Sequence, residues 1–134
     1  MLVLIDTNVI LDILEKRDPF YEASSEILSL CATKKIKGCI AIHSVSNIFY
    51  ILRKHYSAEN RRRLLLGIFL QVAGVDHESV RHALERNDFP DFEDCLQDEC
   101  AMQHHADYII TRNIADFSNS NIPAITPMDF LKKY

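Results

Sequence analysis

Asp6, Asp94 and Asp116 are the residues best placed to do chemistry. Each stands where the chain leaves or enters an apolar segment: Asp6 ends Leu2-Val3-Leu4-Ile5, Asp94 opens an amphipathic stretch, and Asp116 follows Tyr108-Ile109-Ile110-Thr111-Arg112-Asn113. If these ends converge, two carboxylates about 4 Å apart repel by roughly 4 kcal/mol at an effective dielectric near 20, and a bound cation removes that cost. Oxygen donors alone suit hard ions, so the expected cofactor is Mg²⁺ or Mn²⁺.

The elements that must bring them together can be read from the apolar periodicity. Residues 2–5 form an uninterrupted apolar run, the mark of a buried strand, and 8–16 follow as a helix with Val9, Ile10, Ile13 and Leu14 on one face. A second helix is expected over 19–34, with Pro19 at its first position and Phe20, Ala23, Ile27, Leu28 and Cys31 in register. Gly38 breaks the chain before a second strand at 39–42. Ser44 is the expected N-cap of a helix running to residue 54. A helix over 58–70 turns Leu64, Leu65, Ile68 and Phe69 inward and Arg61, Arg62 and Arg63 outward. A strand near 72–75 and a helix over 79–85 come next. Residues 91–105 make the longest helix of the second half, with Phe92, Cys95, Leu96, Glu99 and Met102 in register. Strands at 107–110 and 124–125 and a closing helix over 127–132 complete the chain.

Strands alternating with helices of this length predict an α/β fold, a three-layer α/β/α sandwich around a central parallel sheet of four to five strands. Ligands bind at the carboxyl ends of such strands. Asp6 follows the first strand and Thr111-Arg112-Asn113 the fourth, so both are expected at one sheet edge, with Ser44 and Asn47 reaching the same rim. A helix dipole should stabilise ionised Asp94 near the start of its helix.

Composition sets bounds on this reading. With 134 residues, 48% hydrophobic and 25% charged, the chain is expected to be a single domain over 1–134 with a real core. No stretch reads as a membrane span, and the N-terminus lacks a signal peptide's basic leader and carries Asp6 inside its apolar region, so a cytoplasmic protein is expected. Cys31, Cys39, Cys95 and Cys100 lie among apolar residues without metal-ligand spacing and read as reduced core side chains. The adjacent His104 and His105 point to different helix faces, which disfavours a metal pair. A net charge of −4 does not attract nucleic acid in bulk, so contact would be local, through Arg61-Arg62-Arg63 or Lys34-Lys35-Ile36-Lys37.

Taken together, Leu4-Ile5-Asp6-Thr7-Asn8-Val9-Ile10-Leu11, Asp91-Phe92-Glu93-Asp94-Cys95-Leu96-Gln97, Thr111-Arg112-Asn113-Ile114-Ala115-Asp116-Phe117 and the late Thr126-Pro127 resemble the PIN-domain family in order and spacing, from residue 2 to 131. The resemblance implies a metal-dependent ribonuclease, with RNA as partner. It also implies the toxin role of the VapC type with an antitoxin protein, and a homodimer paired through helices near the middle of the chain. By the same likeness Asp6 and Asp94 match the family's first and third acids, and the fourth maps to Asn113 or Asp116. Thr7 and Thr111 match positions that orient the acids through their hydroxyls.

One position departs from the family. Early in the helix after the second strand, where a glutamate is usual, stands Asn47, which can ligate through its carbonyl but brings no charge. Glu93 and Asp91 are the nearby residues that could replace it, although Glu93 lies about 100° around the helix from Asp94. The reaction implied is metal-assisted phosphodiester hydrolysis on Asp6, Asp94 and Asp116, with Arg112 or a cleft lysine steadying the transition state. Two other classes compete. A phosphoaspartyl hydrolase needs a second aspartate two residues past Asp6, and Asn8 stands there. A PIN-like domain that binds RNA or a protein without cutting is favoured by Asn47. Without its neighbours, each acid also has a plainer role: Asp6 and Asp91 as helix caps, Asp116 as a turn residue.

Overall fold

Leu2, Val3, Leu4 and Ile5 have no polar residue between them, so the strand they form is stable only where both its faces are covered. In the computed structural model, which describes residues 1–68 and 70–134, this strand is β1 (Leu2–Ile5), and it lies at the centre of a five-stranded parallel sheet. The chain continues through α1 (Thr7–Leu14), α2 (Tyr21–Ala32), β2 (Lys37–Ala41) and α3 (Ile42–Ile51). A 3-10 turn (Leu52–Lys54), α4 (Ala58–Leu66), β3 (Gln71–Ala73), α5 (His77–Glu85) and α6 (Phe92–Gln103) follow. Last come β4 (Tyr108–Ile110), a second 3-10 turn (Ile114–Phe117), β5 (Ala124–Ile125) and α7 (Pro127–Lys133).

The strand order is β3-β2-β1-β4-β5, with Leu4 in register with Cys39 on one side and Ile109 on the other. Alternate residues of each strand feed two cores. Val3, Ile5, Ile40 and Ile110 pack with residues of α1, α2, α3 and α7 on one face, while Leu4, Cys39, Ala41, Ala73 and Ile109 meet Cys100 and Ala101 of α6 on the other. The result is the three-layer α/β/α sandwich. On this second face α6 offers the small Cys100 and Ala101 to the sheet. All four cysteines are free thiols, Cys39, Cys95 and Cys100 buried and Cys31 half-buried.

The strand order also fixes where a ligand can enter. From β1 the chain moves to β2 and β3 on one side, then crosses to β4 and β5 on the other, so neighbouring connections diverge at the β1–β4 boundary. The crevice at such a switch point lies outside the carboxyl ends of the strands, beside Asp6 and Thr111.

Several expected details differ. Gly38 lies within β2 instead of breaking the chain, because a Cβ there would come 2.5 Å from Cys31 Sγ and 2.8 Å from Leu70 Cδ2. Ser44 is not a cap: β2 runs directly into α3 with Ala41 at the N-cap, and Ser44 is buried inside the helix. Helix α4 stops at Leu66, and of its three arginines only Arg62 and Arg63 are exposed, since Arg61 folds over Phe49. The inward placement read for Phe69 lies outside the described residues. On α6, Phe92 is exposed and the buried run is Cys95 and Gln97 to Ala101, because the helix turns a polar side toward the loops that flank it. Among the described residues, no helix is long and apolar enough to cross a membrane.

Candidate metal centre

Asp6 occupies the N-cap position of α1 with extended backbone (φ −65°, ψ 148°), yet its side chain makes no cap hydrogen bond. Its carboxylate instead faces the crevice, where Oδ1 accepts from Gln97 Nε2 at 2.7 Å and Oδ2 from Thr111 Oγ1 at 2.7 Å. The backbone ties the same point to β4, since Asp6 N donates to Ile110 O at 2.9 Å. Asp6 therefore bridges the two strands that flank the switch point. Burial raises its pKa above the ordinary value, and the bonds from Gln97 and Thr111 act in the opposite direction.

The first turn of α6 brings the other acids. Asp91 caps the helix by accepting from Glu93 N at 2.8 Å, its plainer expected role, and it also borders the cleft. Glu93 and Asp94 then join Asp6, with one oxygen from each of the three carboxylates within 4.8 Å of the others. Gln97, one turn further on, holds the group together: Nε2 reaches Asp6 and also Glu93 Oε1 at 3.1 Å. Burial, then the charges of Glu93 and Asp6, push the Asp94 carboxyl up to about 8. These causes act against the ionised form that its place near the helix start was expected to favour. Glu93 moves the other way. Burial works against its charge, but His43, with Nε2 3.3 Å from Oε1, acts together with Asp94 and Gln97 to hold the carboxyl below its ordinary value.

The cleft around these acids has a volume of ≈ 420 Å³ and is also lined by Asn8, Asn47, Tyr50, Asn113 and Asp116. Asp116 sits exposed in the second 3-10 turn, on the same cleft but outside the trio of close carboxylates. Asn47 reaches the rim as an exposed neutral amide. Asn113 is anchored through its backbone N, which donates to Thr111 Oγ1 at 3.0 Å.

Two expected roles are corrected. Thr7 does not orient an acid: its hydroxyl donates to Ser44 Oγ at 2.9 Å, because α3 packs against α1 there. Arg112 is turned away from the cleft. Its Nε lies 2.7 Å from Oδ2 of fully buried Asp12, at an angle outside that of a hydrogen bond, and its guanidinium stacks over Phe20. The buried Asp12 charge claims the nearest cation before the cleft can. No lysine lines the cleft among the described residues.

Sequence reasoning passed over Gln97 and His43. Gln97 had a signal, since it lies four residues past Glu93 and three past Asp94 and so shares their side of the helix. His43 had none, because its approach to Glu93 depends on how α3 meets α6.

A parallel sheet with acids gathered at its switch point defines a class of α/β proteins whose ligand crevice lies at the carboxyl ends of the strands. Within that class the chain belongs to the PIN domain family, whose sequence model matches residues 2–115. No curated protein matches it in sequence. Among solved structures it is similar to VapBC2 from Rickettsia felis bound to a promoter DNA fragment, with 17% identity over 94% of this chain and 98% of that one and a TM-score of 0.70. It is also similar to VapC20 of Mycobacterium tuberculosis, a toxin that cleaves the sarcin-ricin loop, with 15% identity over 90% and 95% of the two chains and a TM-score of 0.70. DNA-bound VapBC from Salmonella typhimurium shares 21% identity over 95% and 99%, with a TM-score of 0.69. At these identities the likeness is one of fold.

Proposed function

We propose that this protein is a metal-dependent ribonuclease that hydrolyses RNA phosphodiester bonds, acting in the cytoplasm as the toxin of a toxin–antitoxin pair. The observation that carries the reading is the meeting of the Asp6, Glu93 and Asp94 carboxylates, where burial and then the neighbouring charges raise the Asp94 carboxyl to about 8. An all-oxygen, anionic donor set of this kind fits Mg²⁺ or Mn²⁺. Glu93 makes up the charge that Asn47 lacks, so Asp6, Glu93 and Asp94 are the residues that would hold the ion.

When bound, the cation supplies an activated water for in-line attack and offsets charge on the phosphate. The protein's own part is positional. Thr111 and Gln97 place one donor on each oxygen of Asp6, which leaves the remaining lone pairs for coordination. Asp116, at the exposed side of the cleft, is a further ligand or the acceptor of the water's proton. Asn47 and Asn113 offer neutral amides to a phosphate oxygen, so they steady it without repelling it.

Melting the protein with and without millimolar Mn²⁺ tests the ion, because a ligand that binds only the folded state raises the melting temperature. A rise is expected, with Asp6→Asn abolishing it and Asp94→Asn abolishing Mn²⁺-dependent RNA cleavage. No rise at millimolar metal overturns the proposal. It would favour the second reading, a PIN domain that binds RNA or a protein without cutting, for which the neutral Asn47 is the supporting observation. The VapBC complexes among its structural relatives support an antitoxin as partner. A homodimer is the proposed assembly, and a 15.5 kDa species on gel filtration would refute it.

A further inference from the structure

One wall of the acidic cleft is aromatic. Tyr50, near the end of α3, lines the cleft and is 60% exposed. A ring left this far in water forgoes much of the apolar burial that makes aromatic residues useful in a core. Arg53 lies across it, with the guanidinium carbon 3.6 Å from the ring centroid, and Nη1 donates to the Tyr50 carbonyl oxygen at 2.9 Å. That bond engages one N–H of a five-donor fork and leaves the others available. The preceding residue, Phe49, faces a separate groove with Ile40, Val45 and Leu65, and its ring carries Arg61 at 4.2 Å and Arg62 at 5.7 Å. Arg61 is a prop, half-buried and tied by Nη1 to Phe49 O at 2.9 Å, whereas Arg62 is exposed. Stacking holds these long side chains in place, so less freedom is lost when they grip a ligand.

The charge along the chain is equally uneven. From Arg53 to Arg63 it carries Arg53, Lys54, Arg61, Arg62 and Arg63 against one acid, Glu59, although its formal net charge is −4. Glu59 is taken up by Arg63 at 2.7 Å. The other basic run, Lys34, Lys35 and Lys37, ends where β2 begins, at the edge of the sheet opposite the cleft. A polyanion approaching three carboxylates is repelled unless something beside them holds it, and Arg53, stacked on the cleft-lining Tyr50, is a cation placed to do so.

We propose that Tyr50 and Arg53 form the track that receives single-stranded RNA. A base stacks on the Tyr50–Arg53 pair, and the Arg53 guanidinium holds a flanking phosphate, bringing the next phosphodiester to Asp6, Glu93 and Asp94. The strand is single because only unstacked bases offer a face to a side chain. The proposal rests on the ribonuclease reading of the cleft and names how that cleft takes its substrate.

The test is fluorescence anisotropy of a short labelled single-stranded RNA of mixed sequence, titrated with the full chain in EDTA so that nothing is cut. Arg53→Glu should weaken binding about tenfold or more and flatten the dependence of log Kd on log salt by about one. Tyr50→Ala should weaken it at least about fivefold, with Tyr50→Phe near wild type. Lys35→Glu, with the same change in net charge on the far edge, should have little effect, and melting curves confirm that each variant folds. Equal losses for Arg53→Glu and Lys35→Glu would reduce the effect to bulk charge and overturn the track, as would undiminished binding by Tyr50→Ala. If the two substitutions spare RNA but release a co-purifying protein, the surface is a protein interface and the track is likewise wrong. The two readings fail separately. RNA cut in Mn²⁺ with binding indifferent to Tyr50 and Arg53 overturns the track alone. RNA held through them, with neither an Mn²⁺ shift nor cleavage, overturns the nuclease alone.

Discussion

Helix α6 carries two acidic pairs little more than a turn apart, and they meet opposite surroundings. Asp98 and Glu99 are buried and richly partnered. Asp98 accepts from Arg86 Nη1 at 2.8 Å, Ser120 Oγ at 2.6 Å, Asn121 N at 3.1 Å and Ile122 N at 3.2 Å, while Glu99 meets Arg86 at 2.9 Å and His82. Burial disfavours the Arg86 charge, but its bonds to Asp88, Asp98 and Glu99 more than compensate and raise its pKa above the ordinary value. Glu93 has only the Gln97 amide and the His43 edge, Asp94 accepts no hydrogen bond from Gln97 or His43, and both lie beside a third carboxylate. The same residue types thus clamp a fold where donors are in excess and leave room for a cation where donors are short.

The largest effect should come from breaking the saturated pair. Arg86→Met leaves two buried carboxylates without their cation and should cost about 3–5 kcal/mol in urea unfolding. A loss under about 1 kcal/mol would mean that Asp98 and Glu99 are not the clamp described. On the unsaturated side, Gln97→Ala should leave the fold standing while weakening Mn²⁺ binding about 10–100-fold, since a residue that orients ligands acts on affinity. An unchanged titration would make Gln97 mere packing. The smallest effect expected is a gain: Asn47→Glu adds a fourth charge to the rim and should tighten Mn²⁺ by about tenfold, because affinity follows the number of anionic ligands. Weaker binding in that variant would show that the cleft already holds as much negative charge as an ion can offset.

The same comparison explains what could be read from the residues alone. Asp6 and Thr111 were legible because an apolar run ending in a polar residue marks a strand's carboxyl end, and parallel topology brings such ends together. Glu93 was harder: a 100° step separates Cβ directions, and its longer side chain closes the gap to Asp94. Arg112 was misread because its direction is set by Asp12, a hundred residues earlier, whose burial no local pattern announces. The clamp around Asp98 was invisible for a similar reason. Its donors come from the loops after α5 and after the second 3-10 turn, and neither has a periodicity that points to α6. Tyr50 was not legible as a cleft residue, because helical spacing gives the face of a residue and not what covers that face.

Beneath α6, Leu4 and Ile109 of the sheet, with Cys39, Ala41 and Ala73 on the same face, meet the helix's own small Cys100 and Ala101 in one buried layer. It works as a spacer that sets the gap between Asp6, fixed to a strand, and the acids fixed to the helix. A bulkier residue slipped into that layer would lever the two sides apart with every carboxylate still in place, so the proposed chelation would be governed in part by side chains that never meet solvent.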